Sequence, residues 1–142
     1  MKKNNEIKDL ILKTSYDLDL LLSRKLKSYN LALTEFNTLK VLNDNGDCTV
    51  QNMAKQVLLT SGSMTYIVDK LVAKSCIEKV KQVEDNRVFM LSLTKKGKTL
   101  YKNASESIEE DIDNYFNNLR DKDRDRLIKI LNRIDAREIV QE

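Results

Sequence analysis

The chain has 142 residues and a mass of 16.5 kDa, enough for one ordinary domain and too little for two independent cores. Apolar residues make up 41% and charged residues 33%, with three Gly and no Pro, a balance that favours helices over a sandwich or barrel. The net charge of +3 is unevenly placed: residues 1–47 carry +1, residues 48–102 carry +6 and residues 103–142 carry −4, so the middle of the chain is the part suited to a polyanion.

The apolar positions Ile7, Leu10, Ile11, Leu18, Leu21, Leu22 and Leu26 follow a three-four spacing, which predicts an amphipathic helix from about Asn5 to Ser28. Thr34 is the expected N-cap of a second helix whose buried stripe is Phe36, Leu39 and Leu42, with Glu35 favouring its first turn. Asn43-Asp44-Asn45-Gly46-Asp47 is a stop, with Gly46 suited to a left-handed position. Cys48-Thr49 is too short for an independent strand, but Thr49 can cap a third helix through Val50, Met53, Ala54 and Val57. Thr60 can cap a fourth, in which Met64, Ile67, Val68 and Leu71 define a buried face. The opposite face shows Ser63, Tyr66, Asp69, Lys70 and Lys74, with Thr65 at its flank. Two short helices joined by a tight turn are a helix-turn-helix in outline.

The period then changes to two over 89–93, which predicts a strand, with 77–83 as its antiparallel partner and Glu84-Asp85-Asn86-Arg87 as the turn between them. A helix-turn-helix followed by a two-stranded hairpin is a winged helix. Thr94 caps a long helix with Leu100, Ala104, Ile108, Ile112, Tyr115 and Leu119 on one stripe. A polar turn near Arg120-Asp121 leads to a last helix carrying Leu127, Ile130, Leu131 and Ile134. The expected fold class is mainly α with a small β-hairpin wing, flanked by long N- and C-terminal helices.

The chemistry open to such a chain is narrow. With no His there is no imidazole metal ligand and no Ser–His or Cys–His dyad, and no Gly-rich phosphate loop or metal-ligand cluster stands out, so neither an enzyme nor a cofactor or metal site is expected. Cys48 and Cys76 lie 28 positions apart, which fits structural thiols in a reducing compartment; a redox switch is the alternative. The acidic run Glu106, Glu109, Glu110, Asp111 and Asp113 reads as a solvated face. No apolar run is long enough to span a bilayer, and the expectation is a cytoplasmic protein.

A recognition helix reads sequence from the major groove through its N-terminal turns. Ser61, Ser63 and Thr65 are short hydroxyl donors there, Tyr66 offers an aromatic body and a phenol, and Lys70 suits a phosphate. Arg87 at the wing tip can enter the minor groove, and Asp85 can accept a bidentate bond that fixes the Arg87 side chain or the hairpin backbone. Lys55, Lys79, Lys81, Lys95, Lys96 and Lys98 are expected phosphate neighbours as a group. The alternative is a helical protein-interaction or scaffolding dimer whose basic middle is incidental.

The ordered set Leu33-Thr34-x-Phe36, Thr49-x-x-x-Met53-Ala54, the stretch Ser61-Gly62-Ser63-Met64-Thr65-Tyr66-Ile67-Val68-Asp69-Lys70-Leu71, Asp85-x-Arg87 and Leu93-Thr94-Lys95-Lys96-Gly97 resembles the MarR family of bacterial winged-helix regulators over essentially the whole chain. The resemblance implies a winged helix over residues 34–97 and a helical dimerisation region from 1–33 and 98–142. It further implies a homodimer on a pseudo-palindromic operator in double-stranded DNA, acting as a transcriptional repressor released by a small molecule or by thiol oxidation. The stretch from Ser61 to Tyr66 is similar to that of relatives that answer phenolic or quinone-like compounds. A ligand pocket would lie between the first, second and fifth helices, near Tyr16, Phe36 and Tyr101. The chain departs from the family pattern at Ser75-Cys76, where Gly-Leu is common, at Asn86 inside the wing, and at Tyr66, where many relatives carry Arg.

Overall fold

The structure is a computed structural model that describes residues 1–59, 61–82, 84, 85 and 87–136, with Ser61 described by its backbone alone. Thr60, the expected cap of the fourth helix, Val83 of the expected strand and Asn86 of the wing lie outside the described residues. Two compact units are present, one of Met1–Glu109 and a second beginning at Glu110.

The first unit opens with α1 (Lys2–Leu26) and a 3-10 turn (Lys27–Tyr29) that Asn30 ends in the left-handed region, at φ 55°. Leu26 is fully buried, whereas Ile7, Leu10 and Ile11 are 50, 54 and 42% exposed. The apolar stripe of α1 is therefore formed as its spacing predicts, but among the described residues nothing covers its N-terminal half. The next helix, α2 (Leu33–Asn45), starts two residues earlier than expected: Ala32, not Thr34, is its N-cap residue. The reason is Glu35, whose Oε1 accepts the Ala32 N–H at 3.0 Å and so satisfies a donor at the helix start. Phe36, Leu39 and Leu42 are buried as the stripe requires. Gly46 follows at φ 82° and ψ −170°, a conformation that penalises any Cβ, and its N–H closes α2 on the Leu42 carbonyl.

Cys48–Thr49 forms a short strand, β1, because a partner is available elsewhere in the chain. It pairs antiparallel with β3 (Phe89–Leu93), which also pairs with β2 (Ile77–Lys81), giving the order β1-β3-β2. The expected β2–β3 hairpin is formed, and β1 adds a third strand to it. Leu91, on the central strand opposite Cys48 and Lys79, is fully buried. Between β1 and the wing lie α3 (Val50–Val57) and α4 (Ser61–Ala73). Thr49 caps α3 by accepting the Asn52 N–H at 3.2 Å. Met53, Ala54, Met64, Ile67, Val68 and Leu71 bury the facing sides of the two helices.

The long helix α5 (Lys95–Tyr115) is capped by Thr94, whose hydroxyl accepts the Gly97 N–H at 3.0 Å and donates to the Ser75 carbonyl at 2.7 Å. A side chain at Gly97 would collide with the Cys76 carbonyl oxygen and come within 2.9 Å of Leu93 Cδ1. That same carbonyl accepts the Thr94 N–H at 3.0 Å. Ala104 and Ile108 are buried along α5. Leu119, expected on this stripe, falls after the helix end, in a turn where its N–H reaches the Phe116 carbonyl. In the second unit α6 (Asp121–Asn132) begins after Arg120, whose N–H is accepted by Asp123 Oδ2 at 3.0 Å. Leu127, Ile130 and Leu131 are 37, 48 and 47% exposed, and Ile134 beyond the helix is 58% exposed. The apolar side of α6 is uncovered too.

Candidate nucleic-acid interface

The turn from α3 to α4 is tight. Leu58 sits at φ 61°, 89% exposed, and the Leu59 N–H bonds back to the Ala54 carbonyl at 2.9 Å. This left-handed closure re-aims the chain so that α4 packs across α3 with one side only. Its spacing then decides which residues stay outside: Ser63, Thr65, Tyr66, Asp69 and Lys70 are exposed, while Met64, Val68 and Leu71 are fully buried. Ser61 is the first residue of α4; nothing is described of its side chain. Tyr66 is 65% exposed, so its ring does not cover the hairpin. Lys70 Nζ stands 5.3 Å from the Tyr66 ring centroid, a cation–π contact of about 0.5–1 kcal/mol at an exposed site. The pair presents one aromatic and one cationic group on the same turn.

The wing tip is held by backbone bonds from Gln82 N–H to the Val88 carbonyl and from Val88 N–H to the Asp85 carbonyl, both at 3.0 Å. Asp85 and Arg87 meet, though not through the two-oxygen pairing their spacing allows. A single oxygen, Asp85 Oδ1, accepts both the Arg87 backbone N–H at 3.0 Å and Arg87 Nε at 3.2 Å. The Arg87 side chain remains 91% exposed. Asp85 therefore fixes the turn and the root of the Arg87 side chain while leaving the guanidinium at the surface. As a surface ion pair this contributes at most about 1 kcal/mol to folding.

Two ion pairs escape a reading of the local pattern. Lys79 Nζ lies 2.6 Å from Asp69 Oδ1, tying β2 of the wing to the exposed side of α4. Lys79, expected among the phosphate neighbours, is thus already paired within the protein. Lys74, expected on the exposed face, turns back: its Nζ donates to Glu35 Oε2 at 2.8 Å and to the Asn30 carbonyl at 2.5 Å. Only a hydrophilic residue placed amid the α2 stripe, Glu35, hinted that something charged would come to meet it.

The end of α4 carries the expected departure from the family pattern. Ser75 is left-handed at φ 62°, and the Cys76 N–H reaches the Leu71 carbonyl at 2.9 Å. A non-glycine residue there costs roughly 1 kcal/mol or somewhat more. Cys76 is fully buried and behaves as a small core residue. Burial pushes its thiol up, against the opposing pull of Lys96 and Lys74, and burial followed by the Asp47 charge pushes Cys48 up as well. Neither thiol is activated. Of the three aromatic residues suggested for a pocket, Phe36 and Tyr101 stack with centroids 5.3 Å apart and an interplanar angle of 28°, whereas Tyr16 is 65% exposed and outside that stack.

Comparison with known proteins places this geometry. The model of the MarR family matches residues 31–89, from just before α2 to the start of β3. The HTH-type transcriptional regulator MhqR of Bacillus subtilis (strain 168) is 29% identical over 113 residues, covering 80% of this chain and 78% of MhqR. A MarR mutant from E. coli, solved in complex with operator DNA, shares the fold with a TM-score of 0.83 at 21% identity, over 90% of this chain and 92% of that one. An organohalide-sensing RdhR transcriptional regulator in its 2,4-dichlorophenol-bound form gives 0.84 at 19% identity, over 94% and 79% of the two chains. Motif order, winged architecture and relatives agree: residues 31–89 match the MarR family, and the chain has the fold of the MarR winged-helix regulators and is similar to them over most of its length.

Proposed function

We propose that this protein is a homodimeric transcriptional repressor that binds a pseudo-palindromic operator in double-stranded DNA and is released by a small, phenol-like molecule. The observation that carries the reading is the division of α4: one face wholly buried, the other open and set with Ser63, Thr65, Tyr66 and Lys70. In this reading Ser61, Ser63 and Thr65 present hydroxyls to base edges, Tyr66 meets a thymine methyl or a phosphate, and Lys70 meets the backbone. Arg87 enters the minor groove, and Asp85 positions it.

The uncovered apolar faces of α1 and α6 support a second copy as partner. The second unit also has an apolar cleft of about 410 Å³, lined by Ile112, Phe116, Leu119, Leu127 and Leu131 among others, of a size to receive side chains of another helix. Residues 34–97 would then be the reading head, and 1–33 with 98–142 the dimerisation region. The phenolic ligand of the RdhR neighbour supports an effector of that class. Among the described residues no helix is long and apolar enough to cross a membrane, consistent with a protein that meets DNA in the cytoplasm.

The test combines sedimentation with footprinting on DNA selected from a random pool. The expected result is a dimer at micromolar concentration that protects two half-sites roughly 10 base pairs apart centre to centre, with affinity falling steeply as salt rises. A folded monomer, or a dimer with no salt-sensitive DNA binding, would refute the proposal, and the second outcome would favour the scaffolding reading.

A further inference from the structure

We infer that Lys74 and Glu35 form a latch that sets the angle of α4 against the α1–α2 corner, and through it the half-site spacing that the dimer accepts. This rests on the DNA-binding reading above. Glu35 is 3% exposed, and a carboxylate so placed must have its oxygens satisfied. Both are: Oε1 accepts the Ala32 N–H at 3.0 Å, and Oε2 accepts Lys74 Nζ at 2.8 Å. The same ammonium donates to the carbonyl of Asn30, the left-handed residue that ends the 3-10 turn after α1. One side chain from the exit of α4 thus grips both sides of the corner at which α1 gives way to α2.

A buried ion pair is a weak source of net stability, because desolvation offsets most of the attraction. What it supplies is direction. Leu26, Leu31 and Leu71 bury apolar surface in this unit, and apolar contacts tolerate small rotations of one helix over another. An ammonium with two fixed acceptors does not. Since α1 carries the uncovered stripe that would meet a second copy, the angle held here becomes the distance between two recognition helices.

The test titrates the parent, Lys74→Met, Glu35→Gln and Lys74→Arg against a single half-site, the full operator, and operators one or two base pairs longer or shorter between half-sites. Glu35→Gln keeps an acceptor for the Ala32 N–H and decides the matter if Lys74→Met proves unfolded by circular dichroism. The two latch-breaking variants should bind the half-site within about twofold of the parent but lose roughly tenfold or more on the full operator, because the second half-site is no longer met at the same effective concentration. Their spacing profile should flatten. Lys74→Arg, which keeps the charge and its donors, should retain the parental profile. An unchanged full-site affinity and spacing profile in the latch-breaking variants, or an equal loss on every DNA including the half-site, would overturn the latch. A parent that binds no operator at all would instead defeat the DNA-binding reading, and the latch's role in spacing with it.

Discussion

Replacing Arg87 by Ala removes one guanidinium from each wing, hence two from a dimer. The side chain is 91% exposed and meets Asp85 in a surface ion pair, so folding should change by no more than about 0.5 kcal/mol and the effect should be confined to DNA. Each phosphate neutralised by a cation contributes about 0.9 to the slope of log affinity against log salt, so losing two flattens that slope by roughly 1.8. Between about 50 and 200 mM salt, a fourfold range, the gap between parent and variant should therefore narrow by roughly tenfold. The measurement is fluorescence anisotropy on a labelled operator at four salt concentrations. Asp85→Asn provides the contrast: it removes a negative charge near the duplex yet loosens the anchor of Arg87, and a positioning role predicts weaker binding at an unchanged slope. If Arg87→Ala binds as tightly as the parent with the same slope, the wing does not reach the groove and the role given to both residues is wrong.

Ser63→Ala and Thr65→Ala should relax discrimination at a base pair within each half-site, by about 1–3 kcal/mol per direct contact, measured by competition with single-base operator variants; equal losses on all sequences would refute base readout. Because burial raises both thiols, the thiolate forms are scarce at neutral pH: Cys76 should resist a thiol reagent until the protein unfolds, Cys48 should react slowly, and peroxide should leave operator binding intact. The sign follows from linkage: a thiol whose folded pKa is raised contributes stability below its unfolded pKa, and that contribution is lost as pH rises through the folded value, so thermal melts should weaken toward alkaline pH. Ser75→Gly should relieve the left-handed strain at φ 62° and raise the melting temperature by about 2–4 °C, since the bond from the Thr94 hydroxyl goes to the backbone carbonyl and survives; an unchanged or lower midpoint would show that this strain is absent.

What the sequence made legible was what short-range physics decides. The two faces of α4 follow from the positions of Met64, Ile67, Val68 and Leu71, and the caps at Thr49 and Thr94 follow from hydroxyls at the right offset. The pairing of β1 was not legible, because a two-residue segment becomes a strand only when Leu91 and Met90 arrive beside it from forty residues further on. The start of α2 was misplaced because Thr34 has the usual capping chemistry, and the carboxylate that displaced it one residue later acts backward. Lys74 was assigned to the surface because helical spacing says where a side chain leaves the helix and nothing about where its ammonium ends. The apolar stripe of α1 was visible as a pattern, but periodicity does not say whether the chain itself covers it. Among the proposed contact residues, the exposure of Ser63, Thr65, Tyr66 and Lys70 was legible from the helical period, whereas the single-oxygen anchor that Asp85 gives Arg87 was not.

The bare backbone at Gly97 has a mechanical consequence. With no side chain to stand it off, α5 seats directly on the Cys76 carbonyl, the same atom that receives the Thr94 N–H, at the point where α4 has just ended and β2 begins. Three elements meet there with no slack between them, and a methyl group would find backbone rather than a yielding side chain in its way. Such a junction cannot serve as a joint. A displacement imposed on the first turn of α5 is handed on to the exit of α4, because no yielding side chain lies between them.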